Sequence, residues 1–252
     1  MNDRILTPYE QTQLAKYGLS NQTVTNATPI EYLTGKVTFC GLEFSVNQSV
    51  LIPRVETEGL VELALQVIAE LLDRARSGEK LQLLEVGTGS GAVMICLDQH
   101  LAEAKIEYQL TATDISAEAL AVAQNNAQRL SKKQPLLIKN DLLTGLTGQY
   151  HLIVANLPYI PSNQINQLDE GVKNFEPRLA LDGGVDGFSM IKLLVDQAVS
   201  HLLPEGTILL EVDQTHDQQF FNQFSDQFSI ADFKDCFDRH RFVRLDLKKW
   251  GR

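Results

Sequence analysis

The stretch Leu84-Glu85-Val86-Gly87-Thr88-Gly89-Ser90-Gly91-Ala92 runs an apolar segment into a glycine-rich turn and then into a helical pattern. Residues 81–86 read as a strand and 90–101 as a helix. Glycine has no Cβ to obstruct a backbone that turns sharply or lies against a ligand. Gly87, Gly89 and Ala92 fit a G-x-G-x-x-G/A loop, which alone does not separate NAD from other adenosine-containing cofactors. Downstream the alternation repeats. Strands are expected at 106–113, 135–139, 150–155 and 207–212, helices at 117–130 and 188–202, and two late strands near 228–233 and 241–247. Such alternation implies parallel pairing with right-handed crossovers. The expected class is α/β: a doubly wound, seven-stranded, mostly parallel, Rossmann-like sheet with an antiparallel strand at its edge.

Upstream, residues 1–28 are polar with one short helix expected at 8–17. The alternation Val37, Phe39, Leu42, Phe44, Val46 around Cys40-Gly41 predicts a β-hairpin. Thr57 is placed to cap a helix carrying Leu60, Leu63, Ala64, Val67, Ile68 and Leu71. This divides the chain into an N-terminal helical or linker segment (1–28), a hairpin and connector (29–55) and the sheet domain (56–252).

The formal charge of −10 over 252 residues argues against a basic nucleic-acid face. Cys40, Cys96 and Cys236 form no C-x-x-C pair, and the five histidines show no metal-ligand spacing. Both point to a reducing compartment and no structural metal. Met1-Asn2-Asp3-Arg4 does not open a signal peptide. The apolar run 59–72 is broken by Glu62, Gln66 and Glu70 and does not read as a membrane span. A soluble, cytoplasmic, monomeric protein is expected.

Ligands of open α/β sheets sit beyond the carboxyl ends of the strands. Asp114 ends the second sheet strand, where a carboxylate can accept from both hydroxyls of a ribose; the same residue also reads as a helix N-cap, given Ser116 and Glu118. Glu85, just before the glycine loop, would repel a pyrophosphate and attract an ammonium. S-adenosylmethionine has the ammonium and no phosphate. Asp141 is placed to accept from an adenine amine and Leu142 to pack on the ring, although Asn140-Asp141-Leu142 equally suits an ordinary polar turn. Further on, Ile153-Val154-Ala155 enters Asn156-Leu157-Pro158-Tyr159. Asn156 Oδ1 and the Leu157 carbonyl offer two acceptors, Pro158 stiffens the turn and Tyr159 supplies a flat face. Two acceptors and a ring suit a planar –NH2 group; the bland alternative is a strand-ending turn with a surface tyrosine.

Taken together, the chain resembles the glutamine N5-methyltransferases of the HemK/PrmC type, which modify peptide-chain release factors. The likeness covers 29 to about 247. It rests on Pro29 to Gly35, Phe39 to Phe44, Val50 to Glu58, Glu85 to Gly91, Asn156 to Tyr159, Glu176 to Gly184, and Asp186-Gly187. It implies that Gly87, Thr88, Gly89, Ser90, Gly91 and Asp114 hold S-adenosylmethionine. It also implies that Asn156, Leu157, Pro158 and Tyr159 hold a glutamine amide from the Gly-Gly-Gln loop of a release factor. Three features depart from the family pattern: Leu157 in place of a proline, Val55 in place of the proline after Arg54, and about 28 residues where a helical N-terminal domain is usual. An aromatic residue is also often found near Leu142 in the family.

Three other functions fit parts of the pattern. Asn-Leu-Pro-Tyr is the form found in rRNA adenine dimethyltransferases, so an adenine N6-methyltransferase on RNA or DNA is one; it leaves the segments around Ile52 and Glu176 unexplained. An NAD-dependent oxidoreductase would use the same loop and leave Asn156 to Tyr159 idle. A catalytically silent binding protein has no need of Glu85, Asp114, Asn156 and Tyr159 together.

Overall fold

Thr7 opens the first helix, Pro8–Lys16 (α1), with a capping box: its hydroxyl accepts from Glu10 N–H, and Glu10 accepts from Thr7 N–H at 2.8 Å. A computed structural model describes residues 5–20, 24, 27–74 and 80–249; part of the expected segment 1–28 lies outside the described residues. A short helix, Ile30–Thr34 (α2), leads into the hairpin Lys36–Phe39 (β1) and Leu42–Ser45 (β2). Buried Asn126 fastens this hairpin to the main body. Its Oδ1 accepts from Ser45 N–H at 2.8 Å, and its Nδ2 donates to Ser45 O and Ser90 O, both at 2.9 Å.

A 3-10 turn, Val55–Thr57, runs directly into the helix Glu58–Arg74 (α3). Thr57 does not cap it as expected from the sequence. The threonine is buried, and its hydroxyl accepts from Asn156 Nδ2 at 3.2 Å, so the group is spent on the site rather than on the helix end.

From there strand and helix alternate: Leu81–Val86 (β3), Ala92–Glu103 (α4), Tyr108–Asp114 (β4), Ala117–Leu130 (α5), Leu136–Lys139 (β5) and Tyr150–Asn156 (β6). After Glu170–Phe175 (α6) and Ser189–Ala198 (α7) come Leu202–Glu211 (β7), Gln218–Phe221 (α8), Phe228–Lys234 (β8) and His240–Leu247 (β9). The seven-stranded sheet has the order β5-β4-β3-β6-β7-β9-β8, and β9 runs antiparallel to both of its neighbours. The antiparallel strand therefore sits one place in from the edge, not at it. Burial explains the placement: β9 buries Phe242, Val243 and Leu245, whereas most of β8 is exposed or half-exposed, as suits an edge.

Adjacent residues of β3 serve opposite faces. Leu81 and Leu83 join the core beneath α3, α4 and α5, while Leu84 and Val86 join the core beneath α7 and α8. A strand covered on both faces has no polar side, which is why these segments read as nearly continuous apolar runs. Among the described residues, no helix is long and apolar enough to cross a membrane, and no group of three or more His, Cys, Asp or Glu is arranged to hold a metal ion.

Candidate active site

Four strands end at one rim of the sheet, and register fixes which residues meet there. Val86 pairs with Thr113 and Ala155, and Asn156 pairs with Glu211. Above this rim lies a cavity of about 330 Å³. Glu85, the loop Gly87 to Ser90, Asp114, Asp141 and Leu142 line it, and so do Asn156, Leu157 and Pro158. Gly91 stands just outside the lining and opens α4 as a left-handed N-cap, φ 81°. That left-handed backbone is what requires glycine, since a Cβ there would meet at 2.8 Å only the end of the flexible Met94 side chain.

The loop's own amides are largely committed. Gly87 N–H and Thr88 N–H both donate to Thr113 O at 2.9 Å, Gly89 N–H donates to Asp114 Oδ2 at 2.9 Å, and Gly91 N–H donates to Thr88 O at 2.8 Å. A pyrophosphate loop needs such amides free. The first turn of α4 is occupied as well, because Met94 N–H lies on the Glu85 carboxylate. Glu85 is buried, takes the Thr88 hydroxyl at 2.5 Å, and has no cationic partner among the described residues. Burial pushes its carboxyl up to about 8. A buried acid at a cavity wall, next to spent amides, suits a cationic group and not a phosphate.

Asp114 is not the cap of α5. Ser116 is, accepting from Ala119 N–H at 3.0 Å. The Asp114 carboxylate instead braces Gly89 and accepts from Ser116 N–H at 2.9 Å. Ile115 N–H also lies against this carboxylate, so at least one of its roughly four lone pairs is left for a ligand. Burial raises its pKa above the usual aspartate value. Leu142 is buried with a left-handed backbone, φ 47°, and its carbonyl accepts from Asn140 Nδ2 at 2.9 Å, while Asp141 is exposed.

Beyond Asn156, the half-buried Tyr159 ring packs against the apolar core beneath α7, and its hydroxyl donates to Glu211 Oε1 at 3.2 Å. Burial and the Glu211 charge raise the phenol pKa far above its usual range. Glu211 itself is buried, with Oε2 lacking a hydrogen-bond partner. Sequence reasoning passed over Glu211, although one acid inside Ile208-Leu209-Leu210-Glu211-Val212 is the signature of a buried carboxylate. It also passed over Ile115, which is partly exposed beside Asp114 in the cavity. Arg54, Pro177 and Leu179 form more of the lining, and Arg54 NH2 meets Glu176 Oε1 at 2.5 Å.

Comparison with known proteins identifies the family. A family model described as methyltransferase small domain matches residues 54–174. The release factor glutamine methyltransferase of Lactococcus lactis subsp. lactis (strain IL1403) is 34% identical over 220 residues, covering 86% of this chain and 77% of that protein. Its namesake from Geobacter sulfurreducens is 36% identical over 225 residues, covering 89% of this chain and 73% of that one. Among solved structures, human methyltransferase 10 domain containing protein superposes with a TM-score of 0.55 at 12% identity, over 81% of this chain and 89% of that one. The ribosomal protein L11 methylase of Lactobacillus delbrueckii subsp. bulgaricus superposes with a TM-score of 0.51 at 22% identity, over 78% and 80%. At these identities the structural likeness speaks for the fold. The sequence relatives carry the rest: the chain belongs to the release factor glutamine methyltransferase family.

Proposed function

We propose that this methyltransferase uses S-adenosylmethionine to methylate the side-chain amide nitrogen of a glutamine, in the Gly-Gly-Gln loop of a peptide-chain release factor. One observation carries the reading. One cavity is lined together by the buried acid Glu85, by Asp114 and by Asn156, whose oxygen can accept from an amine. The residues present fit the cofactor. Glu85 suits its ammonium, Asp114 its ribose hydroxyls, and Ile115 and Leu142 offer apolar surface to an adenine, with Asp141 at hand for the exocyclic amine.

S-adenosylmethionine supplies a sulfonium methyl: the amide nitrogen's lone pair forms the N–C bond, the S–C electron pair stays on sulfur, and one N–H proton leaves to water. This chain's residues hold and orient the acceptor. An amide nitrogen is a poor nucleophile because its lone pair is shared with the carbonyl. Asn156 Oδ1 and the Leu157 carbonyl would each accept one of the two N–H groups, which aims the nitrogen and favours its pyramidal, electron-rich form in the transition state. Well-aligned groups reach effective molarities of about 10⁵ M or more, so positioning accounts for most of the rate. The N–H proton becomes acidic as the N–C bond forms, and no dedicated base is assigned.

The Leu157 position tolerates leucine because the backbone carbonyl is the working group there. Leu179 is exposed and lines the cavity with Arg54, and both would meet the residues flanking the glutamine. The test is to incubate the enzyme with labelled S-adenosylmethionine and, in parallel, intact release factor, a Gly-Gly-Gln peptide and ribosomal RNA, then map the labelled residue. Label on the glutamine of the release factor is expected. Label on RNA alone would overturn the proposal in favour of adenine methylation.

A further inference from the structure

An asparagine amide can be turned by 180° with almost no change in shape, so its neighbours decide which end faces the cavity. At Asn156 that choice is decisive, because only the oxygen can accept from a substrate –NH2. We infer that Glu211, acting through the Thr57 hydroxyl, sets the orientation of the Asn156 amide and is thereby a positioning residue for methyl transfer. The inference rests on the function proposed above.

Asn156 and Glu211 are register partners on adjacent parallel strands, so their side chains leave the sheet on the same side, with backbones about 4.8 Å apart. Thr57, arriving from the 3-10 turn before α3, lies between them: its oxygen is 3.2 Å from Asn156 Nδ2, and its hydroxyl lies against the Glu211 carboxylate. From the other side, Arg241 Nη1 is 3.4 Å from the Tyr159 hydroxyl, which is 3.2 Å from Glu211 Oε1.

Each end of this chain has a fixed polarity. Arginine only donates, so the Tyr159 oxygen accepts from it and the Tyr159 proton goes to Glu211. Burial raises the Glu211 carboxyl above its ordinary value, and the Thr57 hydroxyl, the Arg241 charge and the Tyr159 hydroxyl oppose that rise. In its ionised form the carboxylate only accepts, and the Thr57 proton then also goes to Glu211. The Thr57 oxygen then has only acceptor capacity left, and the group it faces must be a donor. The –NH2 of Asn156 is therefore turned toward Thr57 and its oxygen toward the cavity. A buried carboxylate leaving one oxygen unpartnered is costly, and Arg241 is the cation that offsets it. Asp235, Asp213 and Glu56 are the remaining charged groups around this cluster.

The test separates hydroxyl chemistry from shape. Thr57→Val keeps the volume and removes the hydroxyl; Thr57→Ser keeps the hydroxyl. With release factor as substrate, Thr57→Val is expected to lower kcat about tenfold or more while affinity for S-adenosylmethionine stays near the parent value. The stranded Asn156 –NH2 lowers Tm by several degrees, so the assay is run well below that Tm. Thr57→Ser is expected to recover most of that loss. Glu211→Gln can donate as well as accept, so it leaves the chain's polarity unforced and should also lower kcat more than it changes cofactor affinity. An activity-independent readout is the Asn156 side-chain amide in 15N-asparagine-labelled protein, assigned by its absence from Asn156→Ala. One of its protons should be protected from exchange in the parent and exposed in Thr57→Val. Parental kcat in Thr57→Val, equal losses in Thr57→Ser and Thr57→Val, or identical amide exchange in parent and Thr57→Val would each overturn the inference. If the parent labels no glutamine in any substrate, the proposed function fails while the amide measurement still decides the geometry.

Discussion

The Asp114 carboxylate ties two loops together: Oδ2 accepts from Gly89 N–H and Oδ1 from Ser116 N–H, each at 2.9 Å. It joins the turn after β3 to the turn after β4, and the two strands come to the rim of the cavity as one unit. Asparagine has a single acceptor oxygen, so Asp114→Asn would leave one of these N–H groups facing an –NH2. An unmatched donor of this kind costs about 1–3 kcal/mol, and each kcal/mol moves the Tm of a chain this size by about 2–4 °C. A fall of several degrees is expected in calorimetry. Titration with S-adenosylmethionine should show affinity reduced about tenfold or more. Parental affinity in this variant would remove Asp114 from the ribose end of the site.

Glu85 makes ligand binding depend on pH. Burial pushes its carboxyl from the ordinary 4.5 up to about 8, with the Thr88 hydroxyl and Met94 N–H opposing only in part. The folded, unliganded protein thus holds a proton that the unfolded chain has already lost. That stabilising contribution is complete below pH 4.5 and disappears as pH rises through about 8. An ammonium requires the ionised form, so affinity for S-adenosylmethionine should rise up to tenfold per unit between about pH 6 and 8, and level off above. The thermal shift produced by the ligand should grow over the same window. Glu85→Gln should flatten both trends. The control is an adenosine ligand without the amino-acid moiety, which keeps the ribose and lacks the cation. If calorimetry gave the control the same slope, Glu85 would not be the ammonium's partner.

Arg54 and Glu176 link the connector before α3 to the loop between β6 and α7. The Glu176 side chain is 1% exposed and its Oε2 has no hydrogen-bond partner, so Arg54 supplies its principal compensation. Removing one member of a fully buried pair costs about 3–5 kcal/mol; with Arg54 36% exposed, about 2 kcal/mol is a fairer scale for Arg54→Met. Burial already raises the Glu176 pKa, so the stranded carboxyl can take up a proton at low pH. The loss should accordingly be smaller at pH 5 than at pH 8. Adding Glu176→Gln should recover part of it, and a double-mutant cycle by denaturant unfolding measures the coupling. Simple additivity would mean that the pair does not hold these segments together.

The parts of the fold that were legible in sequence are those in which burial is two-sided. β3 and β6 are mostly apolar, β4 and β7 carry buried runs at 110–113 and 206–211, and Gly87 to Gly91 mark where the first of these strands turns. The order of the last two strands was not legible, since Arg241 to Leu247 carries no local mark of which neighbours it pairs with. In the site, residues that end strands at the rim were readable from position alone: Glu85, Asp114 and Asn156. Thr57 was misread and Glu211 missed for one reason. Their hydrogen bonds reach Asn156 and Tyr159 across separations of 52 residues and more, and a pattern read along the chain sees only a helix cap and one more strand residue.

Gly187 and Gly145 share a left-handed φ of 77° and have opposite surroundings. A Cβ on Gly145 would meet nothing within 4 Å, whereas one on Gly187 would collide with the carbonyl oxygen of Tyr159 and come within 3.2 Å of Pro161 Cδ. The segment following Asn156 is buttressed by this loop: Ile160 N–H donates to Leu181 O at 3.1 Å, Gly183 N–H to Ile160 O at 2.9 Å, and Ser162 N–H to Gly184 O at 2.8 Å. Both alanine variants carry the left-handed penalty of about 1–2 kcal/mol and should lose similar amounts of stability from that source. Gly187→Ala must also push the chain at 158–160 aside, and with it the turn that presents the Leu157 carbonyl. Neither glycine lines the cavity, so cofactor affinity should hold in both. Methyl transfer should hold in Gly145→Ala and fall about tenfold or more in Gly187→Ala, because a displacement near 1 Å in a positioning element costs on the order of 10²-fold. Assaying the two side by side, with Tm measured on the same preparations, subtracts the backbone strain they share. Equal activities would show that the loop bearing Gly187 covers the turn without setting its position.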